Sequence, residues 1–139
     1  MDGAGPAGAA LIWCPFPDAG SARSVAGQLL DERLIACANI LGDIESLFVW
    51  DGARASGTET GVLFKTTADC LPATVARLGL LHPYDTPAIV GWHCDMALPA
   101  TVAWLAANCA VPADPMPDLR SGQICSASGN GPRTGRADD

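Results

Sequence analysis

Residues 9–14 form a continuous apolar run closed by Pro15 and Pro17, the pattern of a short buried strand. The period then changes. Ala22, Val25, Ala26, Leu29, Leu30 and Leu34 recur at helical spacing and predict one apolar stripe laid against a sheet, with Asp18 or Ser21 as the N-cap. Residues 35–50 are strand-like throughout, with Gly42-Asp43 predicting a bulge or bend that divides them and Asp51-Gly52 forming the tip. Residues 51–57 are polar and contain glycine, and residues 58–66 return as a β-branched and aromatic strand, so the two runs predict a hairpin. In the next helix Leu71, Val75 and Leu78 share a face, and Pro72 is tolerated only in the first turn.

Two prolines make residues 82–87 (His-Pro-Tyr-Asp-Thr-Pro) a rigid loop. Residues 88–94 read as another apolar strand, and residues 98–108 as a short helix with Val102, Leu105 and Ala106 as its buried face. The order β-α-β-β-α-β-α predicts an α+β domain of the split βαβ, ferredoxin-like kind. This is an antiparallel four-stranded sheet with both long helices on one face and one helix added. The other face, carrying Trp13, Trp50 or Trp92, needs cover, which predicts oligomerisation.

Beyond residue 109 the pattern stops. Residues 110–139 are rich in Pro, Ser, Gly, Asp and Arg without apolar period, and are expected to be a disordered tail, as is the N-terminus over residues 1–8. One domain over residues 9–109 suits a chain of 139 residues.

Composition narrows the function. Apolar residues make up 49% of the chain and charged residues 17%, with no run approaching the roughly 20 apolar residues of a membrane span. The net charge is −7, and residues 1–109 hold eleven acidic against five basic side chains, so clustered Lys and Arg for a nucleic-acid backbone are lacking. The first residues show no basic stretch before the apolar run, and no export signal is read there. The six cysteines form no CxxC pair, which argues against a zinc knuckle and for a reduced, cytoplasmic protein.

Five segments become specific when read together. They are Cys14-Pro15 with Asp18, residues 29–40 (LLDERLIACANI), residues 46–52 (SLFVWDG), Phe64-Lys65-Thr66, and residues 82–87 (HPYDTP). In order and separation they resemble the CutA divalent-cation tolerance proteins over residues 9–108. The resemblance implies a homotrimer with an architecture similar to the PII signalling proteins, and a link to divalent metal ions, chiefly copper. It implies no agreed catalytic activity. The chain departs from the family pattern at Ala88, where an acidic residue is usual, at Val49-Trp50, where an aromatic pair is usual, in residues 53–57, and in the tail.

Copper takes soft thiolates when reduced and imidazole or mixed N and O donors when oxidised. The resemblance places Cys14 and Cys37 at the family's cysteine positions, and adjacent strand ends are expected to bring them close. The competing reading is that each is a small buried hydrophobe. His82, oriented by Pro83, is the third candidate ligand, whereas His93 reads as a satisfied structural residue. Cys70, Cys94, Cys109 and Cys125 receive no ligand role, and Cys125 is expected to be an exposed thiol.

Lys65, the only lysine, and Tyr84, the only tyrosine, both fall in the matching motifs. With Trp50 and His82 they are expected to line a cleft between subunits suited to a small anion, or else to pack and pair across the interface, Lys65 against Asp51 or Glu59. Four functions follow: a trimeric metal-responsive binding protein, a PII-like small-molecule sensor, a scaffold for a membrane or protein partner tethered by the tail, and an enzyme using His82. The last is disfavoured because no catalytic residues stand at a recognisable spacing.

Overall fold

The computed structural model describes residues 8–113. In chain order the elements are β1 (Ala9–Phe16), α1 (Ala19–Asp31), β2 (Cys37–Trp50), β3 (Ala53–Thr67), α2 (Leu71–Leu81), β4 (Val90–His93) and α3 (Pro99–Asn108). The sheet order is β2-β3-β1-β4 with every pair antiparallel, so the α+β, ferredoxin-like expectation holds. The expectations for the two termini fall outside the described residues, except at Gly8 and residues 110–113.

Alternation along the strands separates the two faces of the sheet. Ile12, Cys14, Phe16, Val62 and Phe64 point to one side and are fully buried with Ala22, Leu29 and Leu78 of α1 and α2. Leu11, Trp13 and Pro15 of β1, with Leu63 and Lys65 of β3, point to the other side, which no helix covers and which is only partly buried. We call this the open face. Val90 and Trp92, paired with Trp13 and Leu11, extend it across β4.

Capping defines α1. Asp18 accepts the Ser21 N–H at 2.7 Å, so of the two proposed caps Asp18 serves. At the other end Arg33 takes a left-handed φ of 62°. Leu34 N–H reaches Leu29 O and Arg33 N–H reaches Leu30 O, both at 3.0 Å, the hydrogen-bond pair of a Schellman stop. Leu34 therefore enters the core from beyond the helix, while Leu30, expected in the stripe, is 44% exposed. Arg77 of α2 makes a two-pronged ion pair with Glu32, both bonds 2.9 Å, which ties the end of α1 to α2. Pro72 falls in the first turn of α2, where its missing N–H costs nothing.

Strand boundaries differ from expectation, and β2 begins at Cys37 rather than at residue 35. β1 runs through Pro15 to Phe16. Pro15 O accepts from His82 on the side away from β3, and the imide nitrogen faces that same side, where β4 has already ended, so no ladder bond is forfeited. β3 starts at Ala53 rather than Thr58, because Asp51 (φ 54°) and Gly52 (φ 80°) complete a two-residue turn that pairs Trp50 with Ala53. β4 is shorter than residues 88–94, since Pro87 ends a loop that must still cross from α2. In α3 only Leu105 is fully buried; Ala106, expected inside, faces outward.

The Gly42-Asp43 expectation is met in a specific way. Ile40 pairs with Val62 and Asp43 with Thr60, so Leu41 and Gly42 (φ 86°) together oppose Gly61. That bulge switches the facing of the strand. Before it Cys37 and Asn39 lie on the open face; after it Ile44, Ser46, Phe48 and Trp50 do. Beyond Thr60, where β1 ends, β2 and β3 continue alone as a two-stranded arm.

Candidate functional site

The root of this arm holds a concavity. Pro15 from β1, Phe48 and Trp50 from the arm and Ala88 from the proline loop give it apolar walls, and Ser46, Glu59, Tyr84 and Thr86 supply its polar atoms. Its volume is about 330 Å³.

Its polar core is a linked set. Tyr84 donates its hydroxyl hydrogen to Glu59 Oε2 at 2.8 Å, and both residues are buried. Desolvation, the Glu59 carboxylate, and the nearby Cys14 and Asp18 all push the phenol's pKa up, so it remains a donor. Behind Tyr84 the His82 ring packs with its centroid 4.9 Å away. Tyr84 N–H points at His82 Nδ1 (3.1 Å), and a backbone N–H can only donate, so Nδ1 is the bare nitrogen and Nε2 donates to Pro15 O at 2.9 Å. Burial pushes the His82 pKa down to about 4, opposed more weakly by the bond to Pro15. The imidazole is neutral, with both nitrogens engaged.

The thiols are arranged differently. Cys14 pairs with Val62 and points to the helix side, fully buried; desolvation, with Glu59 adding to it, raises its pKa far above that of a free thiol. Cys37 pairs with Lys65 on the open face of the outermost strand and is only partly buried, its Sγ 3.5 Å from Asn39 Oδ1. β3 separates their strands, and the two side chains leave opposite faces of the sheet. The expected approach of Cys14 to Cys37 within one chain is therefore not found. Among the described residues no three His, Cys, Asp or Glu side chains converge as a metal site. The five described cysteines are free thiols.

Of the proposed cleft residues, Trp50 and Tyr84 meet at the pocket and His82 stands behind it. Lys65 does not join them within the chain: it lies twelve positions along β3 from the residue opposite Trp50, about 40 Å of extended strand. Phe48 was missed as a lining residue because only the bulge brings the even positions of β2 to the side of Tyr84, and Glu59 because its bond to Tyr84 spans 25 residues of sequence. His93 was expected to be satisfied, yet its buried Nε2 has no hydrogen-bond partner among the described residues.

A four-stranded ferredoxin-like sheet with one uncovered face and a small pocket at its arm defines a compact α+β domain. The family model of the CutA1 divalent ion tolerance protein matches residues 10–108, and the chain belongs to that family. The divalent-cation tolerance protein CutA of Pyrococcus horikoshii is 38% identical over 95 residues, 68% of this chain and 92% of that protein. The crystal structure of the divalent ion tolerance protein CutA1 from Ehrlichia chaffeensis superposes with a TM-score of 0.71 at 31% identity, covering 76% of this chain and 98% of that one. A periplasmic divalent cation tolerance protein CutA from Archaeoglobus fulgidus matches with a TM-score of 0.68 at 27% identity, covering 72% and 97%. No helix among the described residues is long and apolar enough to cross a membrane.

Proposed function

We propose that this chain serves divalent-cation tolerance as a homotrimeric, copper-responsive binding protein, with Cys37 as its metal-facing thiol. The observation that carries the reading is the position of Cys37: partly exposed, on the uncovered face, at the outer strand of the sheet. A site started there takes its remaining donors from a neighbouring copy. Cys14 and His82, the other two candidates, are buried, and the His82 nitrogens are already bonded. Exposed Leu47, Val49 and Trp92 support assembly, because apolar surface of this extent is normally covered. The free thiols suit a reducing compartment, and we place the protein in the cytoplasm.

Chelator-competition titration of the reduced protein with Cu(I) and Cu(II), repeated on Cys37→Ser, Cys14→Ser and His82→Ala, tests this. Stoichiometric binding abolished by Cys37→Ser and retained by Cys14→Ser is expected; binding equal in all variants overturns the assignment.

A second reading, a small-molecule sensor of PII-like assembly, is favoured by the pocket that joins Trp50 to Tyr84. Lys65 stands apart from that pocket along β3, so this reading rests on Trp50 and Tyr84 with His82 behind them. A scaffold role of the same assembly has no residue-level support beyond the uncovered face.

A further inference from the structure

We propose that the pocket at the arm root binds a small organic ammonium ion, with the Glu59 carboxylate as counter-ion and the Trp50 indole as its aromatic wall. This rests on the small-molecule reading of the same pocket and adds the charge and shape of the ligand.

The lining decides the charge. Glu59 is the one ionisable carboxylate in the wall, it is only 6% exposed, and neither lysine nor arginine lines the space with it. Tyr84 satisfies one oxygen. A buried carboxylate with one neutral donor is poorly compensated for its lost hydration, and a cation brought into the pocket repairs that. Asp18 adds to the negative field felt at Tyr84, and His82 behind it is neutral. An anion entering here meets charge of its own sign.

The lining also decides against a bare metal ion. One carboxylate, a phenol and two hydroxyls among apolar walls fall short of the six to eight oxygens, about that number, which hard divalent cations collect, and no cluster of three ligating side chains converges among the described residues. Phe48, Trp50, Pro15 and Ala88 ask instead for an apolar body. An ammonium group against Glu59 places such a body on Trp50, where the indole face attracts the cation as well. The volume of about 330 Å³ lies at the small end of ligand pockets, which suits an arylalkylamine rather than a nucleotide.

The test uses the full-length protein and three probes of similar shape: 2-phenylethylammonium, neutral 3-phenylpropan-1-ol and anionic 3-phenylpropionate, followed by titration calorimetry at low salt. The expected result is binding of the ammonium at least about tenfold tighter than the alcohol, with no binding of the carboxylate at millimolar concentration. Glu59→Gln is expected to remove the preference for the ammonium while leaving the alcohol's affinity unchanged. Trp50→Ala, which leaves the Tyr84–Glu59 bond in place, is expected to weaken both, and keeps the test open if the Glu59 variant fails to fold. Tighter binding of the alcohol or the carboxylate, lost in Trp50→Ala, overturns the ammonium assignment and keeps the small-molecule reading. No binding of any probe overturns both.

Discussion

The ring of His82 lies stacked on that of Phe16, with centroids 4.3 Å apart and planes 27° from parallel. Phe16 closes β1 and is fully buried, and it meets Phe64 of β3 edge to face at 6.3 Å. His82 thus joins the end of α2 to the end of β1. Because Nδ1 accepts from Tyr84 and Nε2 donates to Pro15, the arrangement requires the neutral ring.

A pH dependence follows with a definite sign. The unfolded chain takes up the His82 proton near the ordinary value of 6.5, and the folded chain only near 4. Between those values the unfolded state binds more protons, so this contribution is complete above pH 6.5 and falls away as pH drops to 4. The loss is on the order of 3 kcal/mol. Urea midpoints at pH 7.5 and 4.5 are expected to diverge in the parent protein and to converge in His82→Gln. An equal pH slope in the two proteins refutes the assignment.

Trp13 lies over Gly61 on the open face, occupying the space a β-carbon there would take. Gly61→Ala is expected to displace the indole and cost about 1–3 kcal/mol, as overpacking does. Near-ultraviolet circular dichroism and thermal unfolding check it; an unchanged aromatic signal with unchanged stability contradicts it.

Of the three described helices only α1 has a side-chain N-cap bond, accepted by Asp18; α2 and α3 have none. Asp18→Ala is expected to lower stability by about 1 kcal/mol, with Asp18→Asn close to the parent. Chemical denaturation of the three proteins distinguishes loss of the cap from loss of charge.

Trp92 is 45% exposed beside Leu11 on the uncovered face. If the proposed trimer buries this face, the parent is expected to run as a trimer and Trp92→Glu as a folded monomer, read by light scattering together with far-ultraviolet circular dichroism. A trimer in both proteins places the subunit contact elsewhere.

Much of this was legible in the chain. The helical stripe of α1, the alternation of β1 and β3, the proline-bounded loop and the Gly42 irregularity are local signals, set by backbone sterics and by periods of 3.6 and 2. Leu30, Ala106 and the start of β3 were misjudged for local reasons too. Leu29 and Leu30 compete for one stripe, and the polar stretch after Asp51-Gly52 hides a strand that has no sheet face to bury. For the site, Trp50 and Tyr84 were singled out from sequence and do meet, whereas their partner Glu59 was not foreseen as a wall residue.

By itself the sequence determined element order, the α+β class and the uncovered apolar face, because each depends on short-range periodicity and on total apolar content. Only the tertiary structure decided which side chains share a site. One extra residue at Leu41-Gly42 inverts the facing of β2, which turns Phe48 and Trp50 toward Glu59 and Tyr84. The order β2-β3-β1 keeps Cys14 and Cys37 on opposite faces with a strand between them. Register and facing are long-range properties, settled when strands pair, and no single segment contains them.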